Sequence, residues 1–493
     1  MPRETPPAAK LEYLARDQAA LIHSQHQAEL AAKGMVWLRG AGTTLYDSDG
    51  RGYLDGLSGL WNVLVGHGRE ELAAAAALQM RELAFCSSFC GATHPRAIEL
   101  AEHLQQLLKL PDWRFFFTTG GNEAVETALK TARYYWRRLG HPDKTQFLCF
   151  DKAYHGTSLA TASATASAAY QTMFAPTLPG MHILFAPARP EWHVTYSDPP
   201  VDPFGEDGSS AHIAPCVAQD LKQLEQAIVR IGPGQLAAIL AEPIWAAGGT
   251  HVPYPSYWNG VRELCDRYQL LWIADEVITG FGRTATVEHS HHWLAVQHAR
   301  ATPDMVCLAK GITSGYFPLG GMGMSPLLAE QIHSAPPDQA WWHAVTASAH
   351  PVGCAVALAN LELLEREQLI PRAAQLAEEL QSLLCSKFAG HAHVGQIRTA
   401  GLLAGVEFVA RRGIVNAQGE LTSDHTPFAP ELRFGKRLLR AARERGLISR
   451  VRGDTFQLAP PYVTTRAEME QMVEILAIAA AEVSAALSST HSV

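Results

Sequence analysis

Charge is scarce in this chain and carries no basic excess. Only 18% of its 493 residues are charged, and Asp plus Glu outnumber Lys plus Arg by 48 to 40, a net charge of −8. An acidic balance of this kind excludes a molecule built mainly to hold nucleic acid or an anionic membrane. One basic stripe exists, at Arg433, Lys436, Arg437, Arg440, Arg443 and Arg445. Its helical spacing reads as a solvated helix face. Cysteine is sparse and scattered: of eight, only Cys86 and Cys90 lie close, as C-x3-C. With no CxxC pair or zinc-ribbon spacing, reduced thiols in a cytoplasmic protein are expected. The stretch MPRETPPAAKLEYLARD lacks the apolar run of a signal peptide, and no window of about 20 uninterrupted apolar residues follows. No membrane span is therefore expected. No GxGxxG follows a strand with an acid beyond it, which argues against a nicotinamide cofactor. Glu288, His289, His291 and His292 cluster without spacing such as HExxH, so they read as a surface loop and no metal is expected.

The apolar residues, 47% of the chain, are arranged in two rhythms. TTLYDSDGRGYLDGLSG (43–59) has β-branched and aromatic runs around Asp49-Gly50, the pattern of a hairpin. From about residue 76, short and wholly apolar runs alternate with longer amphipathic segments. The runs are Phe115-Phe116-Phe117, FLCF (147–150), LAAILA (236–241), LLWIAD (270–275) and MVCLA (305–309). Such runs between helical patterns predict strands buried on both faces of a mainly parallel sheet, an α/β fold. NEAVETALKTARYYW predicts a helix with Glu123 and Glu126 in its first turn. Thr465 to Glu468 predicts a capping box opening a last helix. The segment 186–215, rich in Pro, Asp and Ser, predicts a long surface loop.

In such a sheet, ligands bind beyond the carboxyl ends of the strands, and each run here is followed by something reactive. Thr118-Thr119-Gly120-Gly121-Asn122 opens a helix and can cradle a phosphate, although a Gly-Gly pair there is more often a tight turn. Tyr154 and His155 follow FLCF, Glu242 follows LAAILA, and Asp275 ends LLWIAD. Lys310 follows MVCLA, where burial would lower its pKa and make it a nucleophile. Asp275 and Lys310 could equally just pair with each other. Taken together, an anion cradle, a flat ring partner, an acid and a lysine are what pyridoxal phosphate requires.

These blocks resemble the class III, or ω-, aminotransferases of fold type I over nearly the whole chain. DEVITGFGRT (275–284) and LAKGITSGYFPLGG (308–321) are the most specific. GGNEAVETALK (120–130), AYHGTSLA (153–160), AEP (241–243) and HAVTASAHPVGCAVALA (343–359) support them. SGLWNVLVGHG (58–68) and RVRGDTFQLAPP (450–461) are similar to the branch that uses pyruvate. The resemblance implies a large cofactor-binding domain at 76–340 and a smaller α+β domain built from 1–75 and 341–493. It implies that Lys310 carries pyridoxal 5'-phosphate as a Schiff base and that Asp275 bonds the ring nitrogen. Tyr154, with His155 beside it, would stack on the ring, and Val277 would cover the other face. Gly120, Gly121 and Asn122 would hold the phosphate, with Glu242 near the cofactor. Thr346 would reach the phosphate from a neighbouring subunit, implying a homodimer with shared sites, or a tetramer of such dimers. Trp61, Phe89 and Trp245 would line the substrate pocket. Arg450 would bind a carboxylate, although strand alternation leaves Arg452 equally placed. Trp245-Ala246 stands where the family has Gln-Gly, and Ala347 where it has an aromatic residue. Trp245 is thus expected to narrow the pocket and Ala347 to widen it.

The implied reaction is ping-pong transfer of an amino group from a primary amine or ω-amino acid to a keto acid, pyruvate foremost. The alternatives are another class III branch, acting on 4-aminobutyrate, ornithine or diaminopelargonate, or an aminomutase. A catalytically idle regulator that binds the cofactor would bring a basic helix-turn-helix domain, which the acidic charge disfavours.

Overall fold

The computed structural model describes residues 10–31, 34–187, 213–413 and 425–490. Near the N-terminus β1 (Trp37–Ala41), β2 (Thr44–Asp47) and β3 (Gly52–Asp55) form an antiparallel meander. The β2–β3 hairpin turns as its sequence predicts. Asp47 Oδ1 accepts the N–H groups of Asp49 at 3.0 Å and Arg51 at 2.9 Å, and Gly50 takes a φ of 78°.

The chain then builds β4 (Arg114–Thr118), β5 (Gln146–Phe150), β6 (Met181–Leu184), β7 (Leu236–Ala241), β8 (Leu271–Asp275), β9 (Met305–Leu308) and β10 (Gly320–Met324). They form one seven-stranded sheet in the order β4-β10-β9-β8-β7-β5-β6. Only β10 runs against its neighbours. Helices Gly121–Arg138, Ile213–Ile231 and Pro255–Tyr268 connect these strands, and β7, β8 and β9 are buried along their whole length. All five expected apolar runs are strands of this sheet. Two strands were not foreseen, MHIL (β6) and GGMGM (β10). β10 carries glycine instead of an apolar run because it lies so close to its neighbours. A Cβ on Gly320 would come within 2.6 Å of the Gly120 carbonyl carbon. Most of the expected surface loop, residues 188–212, lies outside the described residues.

The C-terminal part adds β11 (Val394–Thr399), β12 (Ala404–Phe408), β13 (Leu447–Ile448), β14 (Arg450–Arg452) and β15 (Thr455–Leu458). β13 pairs in parallel with β3, so both ends of the chain share a sheet. The other four make an antiparallel sheet ordered β11-β12-β15-β14. The last helix, Arg466–Thr490, opens on the expected capping box. Thr465 N–H donates to Glu468 Oε2 at 2.7 Å, and Glu468 N–H donates to Thr465 Oγ1 at 3.3 Å. Lys436, Arg437 and Arg440 are exposed on helix Phe434–Glu444, as a solvated face should be. No described helix is long and apolar enough to cross a membrane.

Lys144 joins three strands at their entry. It is 5% exposed, and its ammonium donates to the carbonyls of Pro233 (2.8 Å), Leu236 (3.1 Å) and Gln269 (2.7 Å). It also lies 4.3 Å from the Trp136 ring centroid, and burial pushes its pKa down to about 8. Replacing it with methionine would leave three inward carbonyls without a donor. Lys144→Met is expected to cost about 2–4 kcal/mol, read as a lower urea midpoint. A loss under about 0.5 kcal/mol would show that water takes over the three carbonyls.

Candidate active site

Asp275 ends β8 and is only 4% exposed. Its Oδ2 lies 2.8 Å from His155 Nδ1, and its Oδ1 accepts the Val277 N–H at 3.1 Å. The adjacent Glu276 turns the other way, accepting the N–H groups of Ala295 (3.0 Å) and Val296 (2.8 Å) and the Thr279 hydroxyl (2.5 Å). Burial pushes Glu276 up to about 7. Of two neighbouring acids, one faces the site and the other ties down a loop.

Lys310 follows β9 with a φ of 46°, an uncommon value for a residue with a side chain. Burial lowers its pKa to about 8, Asp275 and then Glu242 pull it back up, and Arg450 adds to the lowering. Glu242, just past β7, is buried and accepts the Tyr154 N–H at 2.8 Å. Burial and then Asp275 raise its pKa well above the usual range, while Lys310 works against them. The four side chains Lys310, Asp275, Glu242 and Arg450 thus share one electrostatic neighbourhood.

The Gly-Gly turn opens helix Gly121–Arg138, whose first-turn N–H groups have no intrahelical acceptor. Gly120 faces open space, since a Cβ there would meet nothing within 4 Å. Gly121 is pressed against Val277, where a Cβ would come within 2.7 Å of Val277 Cγ1. The Asn122 side chain is already engaged. Its Oδ1 accepts from the N–H groups of Thr157 (2.8 Å) and Ser158 (3.1 Å) and from the Thr161 hydroxyl (2.8 Å). Through that oxygen it shapes the loop after Tyr154.

Trp61 lies between Lys310 and Arg450. It is 2% exposed, with the Lys310 Nζ 5.0 Å from its ring centroid and the Arg450 guanidinium carbon 5.4 Å from the same centroid. Leu57, Ala246, Ala247, Ile278 and Ala459 pack in its cluster, with Tyr154 at the edge. Of the two candidate arginines, Arg450 is the one recorded against this ring. Among the described residues it makes no ion pair.

Trp245 is a correction. It packs away from Trp61 in the main core, with Phe150 edge-on at 5.5 Å and Trp258 stacked at 5.9 Å. So large an apolar ring is best buried in the core at this strand end. The neighbouring Ala246 and Ala247 therefore take the places beside Trp61, and Trp245 does not narrow the site. Phe89 and Thr346 are both exposed, with no recorded contact to Lys310 or Asp275 in the chain that bears them. Sequence reading also missed Tyr170, which meets Tyr154 edge-on at 5.4 Å and accepts from the Gln25 amide at 2.6 Å. No motif marks it, because a short helix at 168–171 delivers it to the site.

His289 and His292 do stack, with centroids 4.6 Å apart, and His291 meets His292 edge-on at 4.7 Å. Among the described residues, no group of three or more His, Cys, Asp or Glu is arranged to hold a metal ion.

The residues fit pyridoxal phosphate. Open space lies before the helix start at Gly120, Val277 stands at Gly121, and Asp275 and Lys310 end adjacent strands. His155 Nε2 is buried without a partner in the same place. Class III aminotransferases depend on that cofactor, and the class-III aminotransferase family model matches residues 26–480. A putrescine–pyruvate aminotransferase of Pseudomonas aeruginosa is 34% identical over 455 residues, 91% of each chain. A diaminobutyrate–2-oxoglutarate transaminase of Halomonas elongata is 33% identical over 469 residues, 93% of each. In three dimensions, a thermostable (S)-enantioselective ω-transaminase from Thermomicrobium roseum matches with a TM-score of 0.85 at 39% identity. That match covers 96% of this chain and 99% of the other. This extent of agreement, with the reactive residues at the strand ends, shows that the chain belongs to the class III aminotransferases.

Proposed function

We propose that this aminotransferase moves the amino group of a primary amine or ω-amino acid to a keto acid, pyruvate foremost, in a ping-pong cycle. The observation that carries the reading is the placement of an amine and a guanidinium against one ring. Lys310 at 5.0 Å and Arg450 at 5.4 Å from the Trp61 centroid put a nucleophile and a carboxylate binder side by side. When bound, pyridoxal phosphate supplies the aldehyde that takes up the amino group and the conjugated ring that accepts the electron pair.

The protein's own groups do the rest. The N–H groups at Gly121 and Asn122 bind the phosphate. Tyr154 and Val277 would cover the faces of the cofactor ring, and Asp275 would hold a proton at its nitrogen. With the cofactor bound, Lys310 would be the base that takes the proton from the substrate carbon and gives it back. Its lowered pKa suits a base working near neutrality. The pocket must accept an amine without a carboxylate and then a keto acid with one. An arginine free of other ion pairs can grip the second with its planar fork and turn aside for the first.

The same reading takes the active unit to be a homodimer acting in the cytoplasm, with Thr346 of the partner subunit at the phosphate. Trp342, 89% exposed beside an exposed Thr346, supports it, as do exposed Phe85 and Phe89. Mixing Lys310→Ala subunits with subunits damaged at Thr346 should then restore some intact sites. The acceptor has a second reading. The diaminobutyrate relative uses 2-oxoglutarate and is about as similar as the pyruvate enzyme.

An acceptor assay tests both readings. Pyruvate is expected to give higher kcat/KM than 2-oxoglutarate, and the reverse order would move the chain to the other branch. Arg450→Ala should raise the KM for pyruvate about 10–100-fold, the worth of a charge-assisted contact. The half-reaction with a simple aliphatic amine should change little. Equal losses in both halves would make Arg450 structural, and a selective loss in Arg452→Ala would transfer the role.

A further inference from the structure

Trp61 is held in a conformation that its own backbone disfavours. Ser58, Gly59 and Trp61 have φ values of 49°, 66° and 60°, three left-handed residues within four. For a bulky aromatic such a value is costly and persists only where the surroundings over-determine it. Here they do. Asp55, wholly buried, accepts the N–H groups of Leu57 (3.2 Å) and Gly59 (2.6 Å), with His67 Nε2 on the same carboxylate at 2.8 Å. Ser58 Oγ donates to the Ala459 carbonyl at 2.7 Å and accepts from Arg283 Nη2 at 3.1 Å. Arg283 is itself wholly buried. Its Nη1 donates to the Pro460 carbonyl at 2.7 Å, and its guanidinium carbon lies 4.7 Å from the Tyr462 ring centroid.

A fully buried arginine is expensive unless it is well bonded, and it makes no direct ion pair among the described residues. What it does support is the turn that carries Trp61, and through Trp61 the gap between Lys310 and Arg450. We propose that Arg283 and Ser58 are specificity-determining positioning residues. They brace Trp61 in its left-handed conformation and so set the size of amine the pocket admits. Asp55 fixes the other side of the same turn. This rests on the transaminase reading above. It adds that pocket width is set by a buried brace beneath the pocket wall.

The test uses the full-length holoenzyme as wild type, Ser58→Ala, Trp61→Ala and the double variant. Each is mixed with 2-aminobutane or with the bulkier 1-phenylbutylamine, and the amine half-reaction is followed by cofactor absorbance, independently of any acceptor. Ser58→Ala is expected to shift the rate ratio about tenfold toward the bulky amine. In the Trp61→Ala background the same change should add nothing, because the brace acts through that ring. Amide hydrogen exchange supplies a readout apart from activity: residues 57–62 should exchange faster in Ser58→Ala, while the peptide bearing Lys310 does not. Arg283→Lys keeps the charge but cannot span Pro460 and Ser58 together, and should shift the ratio the same way. Equal slowing with both amines, a full effect of Ser58→Ala without Trp61, or unchanged exchange at 57–62 would each overturn the brace. A wild type inert toward both amines would instead overturn the transaminase reading, and the brace with it.

Discussion

Lys310→Ala is expected to lower transamination by at least about 1,000-fold, because one change removes both the nucleophile and the proton carrier. The cofactor should still associate through the helix start and Asp275, but borohydride should no longer fix its mass to the chain. In the unsubstituted enzyme, borohydride should place that mass on the peptide holding Lys310. Finding it on another lysine would sink the assignment. The lowered pKa adds a pH test on the cofactor-free protein. A group whose charged form is disfavoured in the folded state loses its proton at lower pH than in the unfolded chain. The neutral, reactive amine should therefore appear through a midpoint near pH 8. An amine-directed reagent at pH 8 should label Lys310 ahead of exposed lysines. A midpoint above pH 10 would mean that Asp275 and Glu242 outweigh burial.

The second large effect is expected at Asp275. Asparagine is nearly isosteric and can keep the Val277 N–H bond, but it carries no charge to hold a proton on the ring nitrogen. Turnover should fall on the order of 1,000-fold, the scale of a lost charge stabilisation of roughly 4 kcal/mol in a dry site. Cofactor affinity should fall far less, since the phosphate and ring contacts are separate. His155 makes the arrangement stiffer. Its ring, 2.8 Å from Asp275 and wholly buried, keeps the carboxylate aimed along the strand end. Near-native turnover in Asp275→Asn would assign the role to another acid, and Glu242 lies within electrostatic reach.

Much of this architecture was legible before any coordinates. Buried parallel strands must be apolar on both faces, so LAAILA, LLWIAD and MVCLA announce themselves, and a charged residue ending such a run has few places to go. Lys310 and Asp275 were therefore readable as charges at the ends of buried strands, but only the set of residues together pointed to a cofactor, and their separate roles came from the family resemblance. The Thr465 capping box and the Asp49-Gly50 hairpin were readable because their bonds span only a few residues. β10 was not readable. Its three glycines answer to close approach between backbones, which depends on strands distant in sequence.

The site divides along the same line. Local sequence determined the residue types at the strand ends, the helix start behind Gly121 and the cofactor class they suit, because each follows from a short run and its neighbours. Tertiary structure alone decided which of those residues meet. It sent Trp245 into the core beside Phe150 and Trp258, against expectation, and left Ala246 and Ala247 beside Trp61. It set Arg450 beside the Trp61 ring, which parity along the strand could not tell apart from Arg452. It also joined Ser58 to Arg283, 225 positions apart, beneath that ring. The physical reason is range: propensity, capping and burial act over a few residues, whereas pocket walls are made where chain segments hundreds of positions apart exclude the same water.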